Sequence, residues 1–81
     1  MKLYSDCEHG DRYFLIEYLK GDGAYLYVYE SETLFKEDMS ERSNCSGHVE
    51  DYHQDDIEMA QKYAFKYFGV PQDSWHVVEP V

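Results

Sequence analysis

The spacing of apolar positions changes twice along the chain. Between Arg12 and Glu32 the stretch RYFLIEYLKGDGAYLYVYESE alternates residue by residue on both sides of a glycine-dense break. That is the period-two signature of a β-hairpin rich in β-branched and aromatic side chains. A three-residue loop Gly21-Asp22-Gly23, its last glycine taking the left-handed position, sets Tyr18 opposite Leu26 and Ile16 opposite Val28, with Phe14 extending the apolar face. A two-residue loop Gly21-Asp22 sets Glu17 opposite Leu26 and mixes a carboxylate into that face, so the three-residue loop is preferred. The other face then carries Tyr13, Leu15, Glu17, Leu19, Tyr25, Tyr27 and Tyr29.

From Asp55 the period lengthens. Ile57, Ala60, Ala64 and Phe68 fall on one stripe flanked by Tyr67, with Glu58, Lys62 and Lys66 opposite, which predicts an amphipathic helix over 55–68. Asp55 is the expected N-cap, with Glu58 three residues on, and Gly69 followed by Pro71 supplies the stop. The two alanines let this helix approach a sheet closely, so it is expected on the Phe14/Ile16/Leu26/Val28 face. WHVV at 75–78 has strand composition. The middle, 31–54, leaves two readings open: Ser31 caps a short helix carrying Leu34, Phe35 and Met39, or TLFK is a third strand. GHVEDYH resembles another short strand, and KEDMSERSNCSG has loop composition. The expected fold is a single α+β domain over 1–81. A small antiparallel sheet is built on the 12–30 hairpin, with one main helix on one face and a C-terminal strand.

Charge and size then narrow the function. Eighty-one residues can bury one modest core and leave little volume for a deep substrate pocket, which weighs against an enzyme. Seventeen acidic residues against seven basic ones give a formal charge of -10, which repels nucleic acid and anionic lipid and steers the molecule toward basic partners. No apolar run approaches the roughly 20 residues of a membrane span. The opening MKLYSDCEHGDRY lacks the apolar segment of a signal peptide, so a cytoplasmic protein with reduced thiols is expected, as a monomer or small homo-oligomer.

Candidate chemistry is sparse. Cys7 and His9, with Cys45 and His48, supply two thiol–imidazole pairs and hence a tetrahedral zinc set, the alternative reading. The CEH spacing is tighter than usual, and two scattered thiols with surface histidines are the stronger reading, so neither metal nor cofactor is expected. His48, His53 and His76 have carboxylate neighbours, which arise by chance in so acidic a chain. KGDG is a hairpin turn and not a phosphate-binding loop. The acidic runs and the phenol row carry more weight. Tyr25, Tyr27 and Tyr29 are expected to anchor a partner, with Glu30, Glu32, Asp51, Asp55 and Asp56 steering it. The competing reading covers those phenols with segment 31–54.

The stretch DDIEMAQKYAFKYFGVPQDSW, 55–75, resembles the C-terminal part of small acidic bacterial immunity proteins, in which an alanine-containing helix ends in an FGV-type turn followed by tryptophan. Phage anti-CRISPR proteins are similar in size and charge. The resemblance implies a non-catalytic inhibitor that occludes the basic site of a nuclease or other nucleic-acid-binding protein.

Overall fold

The computed structural model describes residues 1–7 and 10–79. The chain forms β1 (Lys2–Ser5), β2 (Tyr13–Leu19), β3 (Gly23–Tyr29), α1 (Glu32–Asp38), β4 (Glu50–Gln54), α2 (Ile57–Phe68) and β5 (Trp75–Val77). The five strands make one sheet in the order β4-β3-β2-β1-β5, and every pairing is antiparallel. The α+β expectation is met, with a helix on each side of the sheet rather than one.

The hairpin forms with the expected faces but a different register. Leu19 pairs with Gly23, Ile16 with Leu26 and Phe14 with Val28, two residues away from the expected alignment. The turn is Lys20-Gly21-Asp22, closed by the Asp22 N–H donating to the Leu19 carbonyl at 2.9 Å, with Gly21 in the left-handed region (φ 85°). Gly23 is a strand residue for another reason: a Cβ there would sit 2.5 Å from the Gln54 carbonyl oxygen, so only glycine lets β4 close against β3 at this point. A two-residue shift keeps the parity of every side chain, which is why the faces survive the error.

On one face, α2 lies over β2, β3 and β4. Its fully buried Ala60 and Ala64 meet Leu3, Phe14, Ile16, Ala24, Leu26, Val28 and Val70. The helix begins one residue later than expected. Asp56 is the N-cap, its Oδ1 accepting the Met59 N–H at 2.8 Å, so Asp55 precedes the helix and the residue three beyond the cap is Met59, not Glu58. Gly69 ends it in the left-handed conformation (φ 73°), as expected. Tyr67, expected beside the buried stripe, is exposed.

The strand β1 was not anticipated. It lies between β2 and β5, pairing Leu3 with both Ile16 and Val77, and it turns a hairpin and a tail into a continuous sheet. In the middle segment the helical reading holds: Ser31 caps α1, its Oγ accepting the Leu34 N–H at 3.2 Å. GHVEDYH contributes β4. Among the described residues no helix is long and apolar enough to cross a membrane.

Close helix–sheet approach at the two alanines predicts that Ala64→Leu overpacks the interface and lowers stability by about 1–3 kcal/mol. Phe65→Leu, one position on but exposed, should change it by no more than about 0.5 kcal/mol. Urea unfolding of the two variants beside the parent checks the contrast.

Candidate functional site

Parity places Lys2, Tyr4, Leu15, Glu17, Tyr25, Tyr27, Asp51 and His53 on the sheet face opposite α2. Over the Tyr13 and Tyr29 end of that face sits α1, with Phe35 5.6 Å from the Tyr29 ring and 5.3 Å from the Tyr13 ring. Leu15, Tyr27, Tyr29, Phe35 and Cys45 form a second core, closed by Tyr4, Tyr13, Tyr25 and Met39. The open phenol row expected from the sequence is therefore corrected. Tyr29 is 0% exposed and Tyr27 8%, sealed by the chain's own middle segment, and only Tyr25 keeps partial access to solvent.

What holds that segment down is a buried charge network. The Lys2 side chain, 1% exposed, crosses beneath the segment and donates to the carbonyls of Asp38 (2.9 Å), Ser43 (2.8 Å) and Ser40. These carbonyls belong to the last residue of α1 and to the loop after it, where the helix leaves its own acceptors without partners. The buried Asp38 carboxylate completes the arrangement by accepting from the Ser43 hydroxyl (2.6 Å), the Gly47 N–H (2.8 Å) and the Tyr29 hydroxyl (2.9 Å). Burial alone pushes the Asp38 carboxyl up. The hydrogen bonds from Ser43, Gly47 and Tyr29, with the nearby Lys2 charge, outweigh it and hold the carboxyl below its ordinary value. Burial, and then the Asp38 hydrogen bond, push the Tyr29 hydroxyl well above the usual phenol range. Burial and Glu17 do the same to Tyr27.

The zinc set divides. Cys45 is fully buried and in the left-handed region (φ 58°), its thiol pushed up chiefly by burial. His48 Nδ1–H donates to the Cys45 carbonyl, and the His48 ring packs at 4.5 Å on Tyr27, tilted by 33°. Cys7 lies in a cleft of about 250 Å³ with Tyr4, Tyr13, Phe35 and Met39. His9 lies outside the described residues. Among the described residues no group of three or more His, Cys, Asp or Glu side chains is placed to hold a metal.

The carboxylates singled out from the sequence fall in two places. Glu30 and Glu32 stand at the start of α1, where Glu32 accepts from Tyr13 and pairs with Lys36 at 3.1 Å. Asp51 lies on β4, at the border of the sheet and on the face opposite α2, with its Oδ2 3.7 Å from His48 Nε2, and Asp55 and Asp56 form the exit of β4 into α2. Asp51 and Asp55 are exposed there; Asp56 is exposed but occupied as the helix cap. Between Ser43 and Gln61 the chain has five carboxylates and neither lysine nor arginine. Glu58 is paired with Lys62 on the surface at 3.0 Å, which offsets its charge locally and contributes only about 0.3–0.5 kcal/mol to stability.

Sequence reasoning missed the aromatic shelf beside these acids. Tyr52 of β4 packs at 4.8 Å on Tyr63, and Tyr63 at 4.4 Å on Tyr67. Met59 continues the flank one helical turn earlier, and Met59, Tyr67 and Val49 are all exposed. The i, i+4, i+8 spacing of Met59, Tyr63 and Tyr67 beside the alanine stripe was the available signal. The Tyr52 hydroxyl donates to Glu50, which, with burial, pushes it up to about 12, so the shelf's phenol stays a neutral donor through the physiological range. Comparison with protein-family models, curated proteins and solved structures returns no match to this chain.

Two pH limits follow. The Asp38 carboxyl is held low in the fold, so its contribution is present above the unfolded value near ~3.9 and is lost as pH falls through the folded one. Asp38→Asn should therefore destabilise at neutral pH by about 1–3 kcal/mol and flatten the acid limb of a urea-midpoint series. Tyr27 and Tyr29 are raised, so their contribution is complete below about pH 10 and is lost at higher pH as the unfolded phenols ionise. In an ultraviolet phenolate titration two of the nine tyrosines should ionise only with unfolding, and Tyr29→Phe should remove one of them.

Proposed function

We propose that this chain is a non-catalytic, acidic binding protein that docks on a basic, nucleic-acid-handling protein and blocks it. One observation carries the reading: five carboxylates lie between Ser43 and Gln61, on β4, its exit and the first turn of α2 beside the exposed Met59, in a stretch of sequence with no lysine or arginine. Carboxylates in excess over cations steer a basic partner into contact and compete for the groups that would otherwise hold phosphate. Amphipathic rings beside them supply contact area at low entropic cost once the partner has arrived. The buried phenols stand behind this surface as its scaffold, and the anchoring role passes from Tyr27 and Tyr29 to Tyr52, Tyr63 and Tyr67. The likeness of 55–75 to immunity proteins points to the same class of target.

Capture on the immobilised full chain at low salt, followed by identification and assay of the captured protein, tests this. The expected partner is basic, and its nucleic-acid binding or cleavage is lost when one equivalent of the chain is added. Replacing both Asp51 and Asp55 with lysine, while leaving the capping Asp56 alone, should slow association by about tenfold or more at low salt and flatten its salt dependence. A captured protein that keeps its full activity in the complex, or unchanged association by the reversed variant, would overturn the proposal.

A further inference from the structure

A strand at the border of a sheet has backbone donors and acceptors on one side that no neighbouring strand satisfies, and natural proteins blunt such borders with charged side chains, lysine above all, with proline or with a covering segment; the charges of β4, Glu50 and Asp51, are both negative. The two borders here are unequal. β5 is three residues long, whereas β4 runs for five, from Glu50 to Gln54, with β3 as its single strand partner. β4 contains neither lysine nor proline. Its outward side chains alternate. Glu50, Tyr52 and Gln54 stand on the α2 side, where Tyr52 opens the ring series continued by Tyr63 and Tyr67; Asp51 and His53 stand on the other.

We propose that β4 is a strand-addition site, where an extended segment of the partner bearing lysine or arginine pairs edge-to-edge as a sixth strand. This rests on the basic-partner reading above and specifies how the contact is made. A strand laid along β4 would set every second side chain on the α2 side, where a cation meets the Glu50 carboxylate, and the intervening ones toward Asp51. Main-chain hydrogen bonds supply register, and the carboxylates select the sign of charge. The same carboxylates disfavour a second copy of this chain, because joining two β4 borders brings together two molecules of net charge -10 along strands that each carry Glu50 and Asp51.

The test uses the intact chain and a short synthetic peptide alternating lysine with valine. Two companions accompany it: the same peptide methylated on every backbone nitrogen, and one with glutamate in place of lysine. Binding of the lysine peptide should protect the amides of 50–54 from hydrogen exchange. Backbone methylation, which keeps the charge and removes the donors, should weaken binding by about tenfold or more, and the glutamate peptide should not bind. Equal binding of the methylated peptide, or protection confined to another region, overturns strand addition and leaves the basic-partner reading standing. Indifference to peptide charge, or no binding of the lysine peptide, overturns both. A dimer of the chain alone with β4 already protected assigns the edge to a second copy and overturns the proposal.

Discussion

An ammonium group withdrawn from water must be surrounded by oxygen, and the Lys2 ammonium meets that demand with three carbonyls from a single short stretch of chain. Those carbonyls lie at and just beyond the end of α1, so satisfying the charge fixes the path of the loop that follows. The Asp38 side chain, drawn in by the same packing, gathers Tyr29, Ser43 and Gly47. A cation on the second residue thereby holds the middle of the chain against the sheet. Without it α1 and the loop after it would be held by the Tyr29–Asp38 hydrogen bond and by the packing of Phe35, Met39 and Cys45, with three carbonyls left without their donor.

This arrangement answers what a row of phenols does in so small a protein. An aliphatic core on both sides of a five-stranded sheet needs more apolar surface than a chain this acidic offers. Tyrosine fills the volume while its hydroxyl stays bonded: Tyr29 to Asp38, Tyr27 to Glu17 and Tyr25 to Asp22. Each acceptor is a carboxylate, so part of the chain's negative charge is built into its second core. Much of the remainder lies at the surface, and five of its carboxylates fall between Ser43 and Gln61, where the sequence has neither lysine nor arginine.

The hairpin, the main helix and its glycine stop could be read from periodicity because their determinants are local. The register could not, since it depends on Gly23 lying under the β4 backbone, a tertiary fact that makes this glycine part of a strand and moves the turn back to Lys20-Gly21-Asp22. β1 escaped notice because Lys2 occupies an inward position where the pattern asks for an apolar residue, and its partners lie far along the chain. The cover over Tyr27 and Tyr29 was invisible for the same reason. Of the anticipated surface residues, Asp51 and Asp55 belong together on the edge, while Glu30 and Glu32 belong to the beginning of α1. The ring series of Tyr52, Tyr63 and Tyr67 joins a strand to a helix, and only folding places it beside the acids.

The position of β1 also sets the order in which the molecule can assemble. β2 and β3 are joined by a tight turn and can pair early, whereas β1 bridges the hairpin to β5 from the other end of the chain. Until β1 docks, no cation waits beneath the middle segment, and the carbonyls of Asp38, Ser40 and Ser43 lack the donor they share. A fluctuation that peels β1 away would therefore loosen the cover of the second core as well as the sheet.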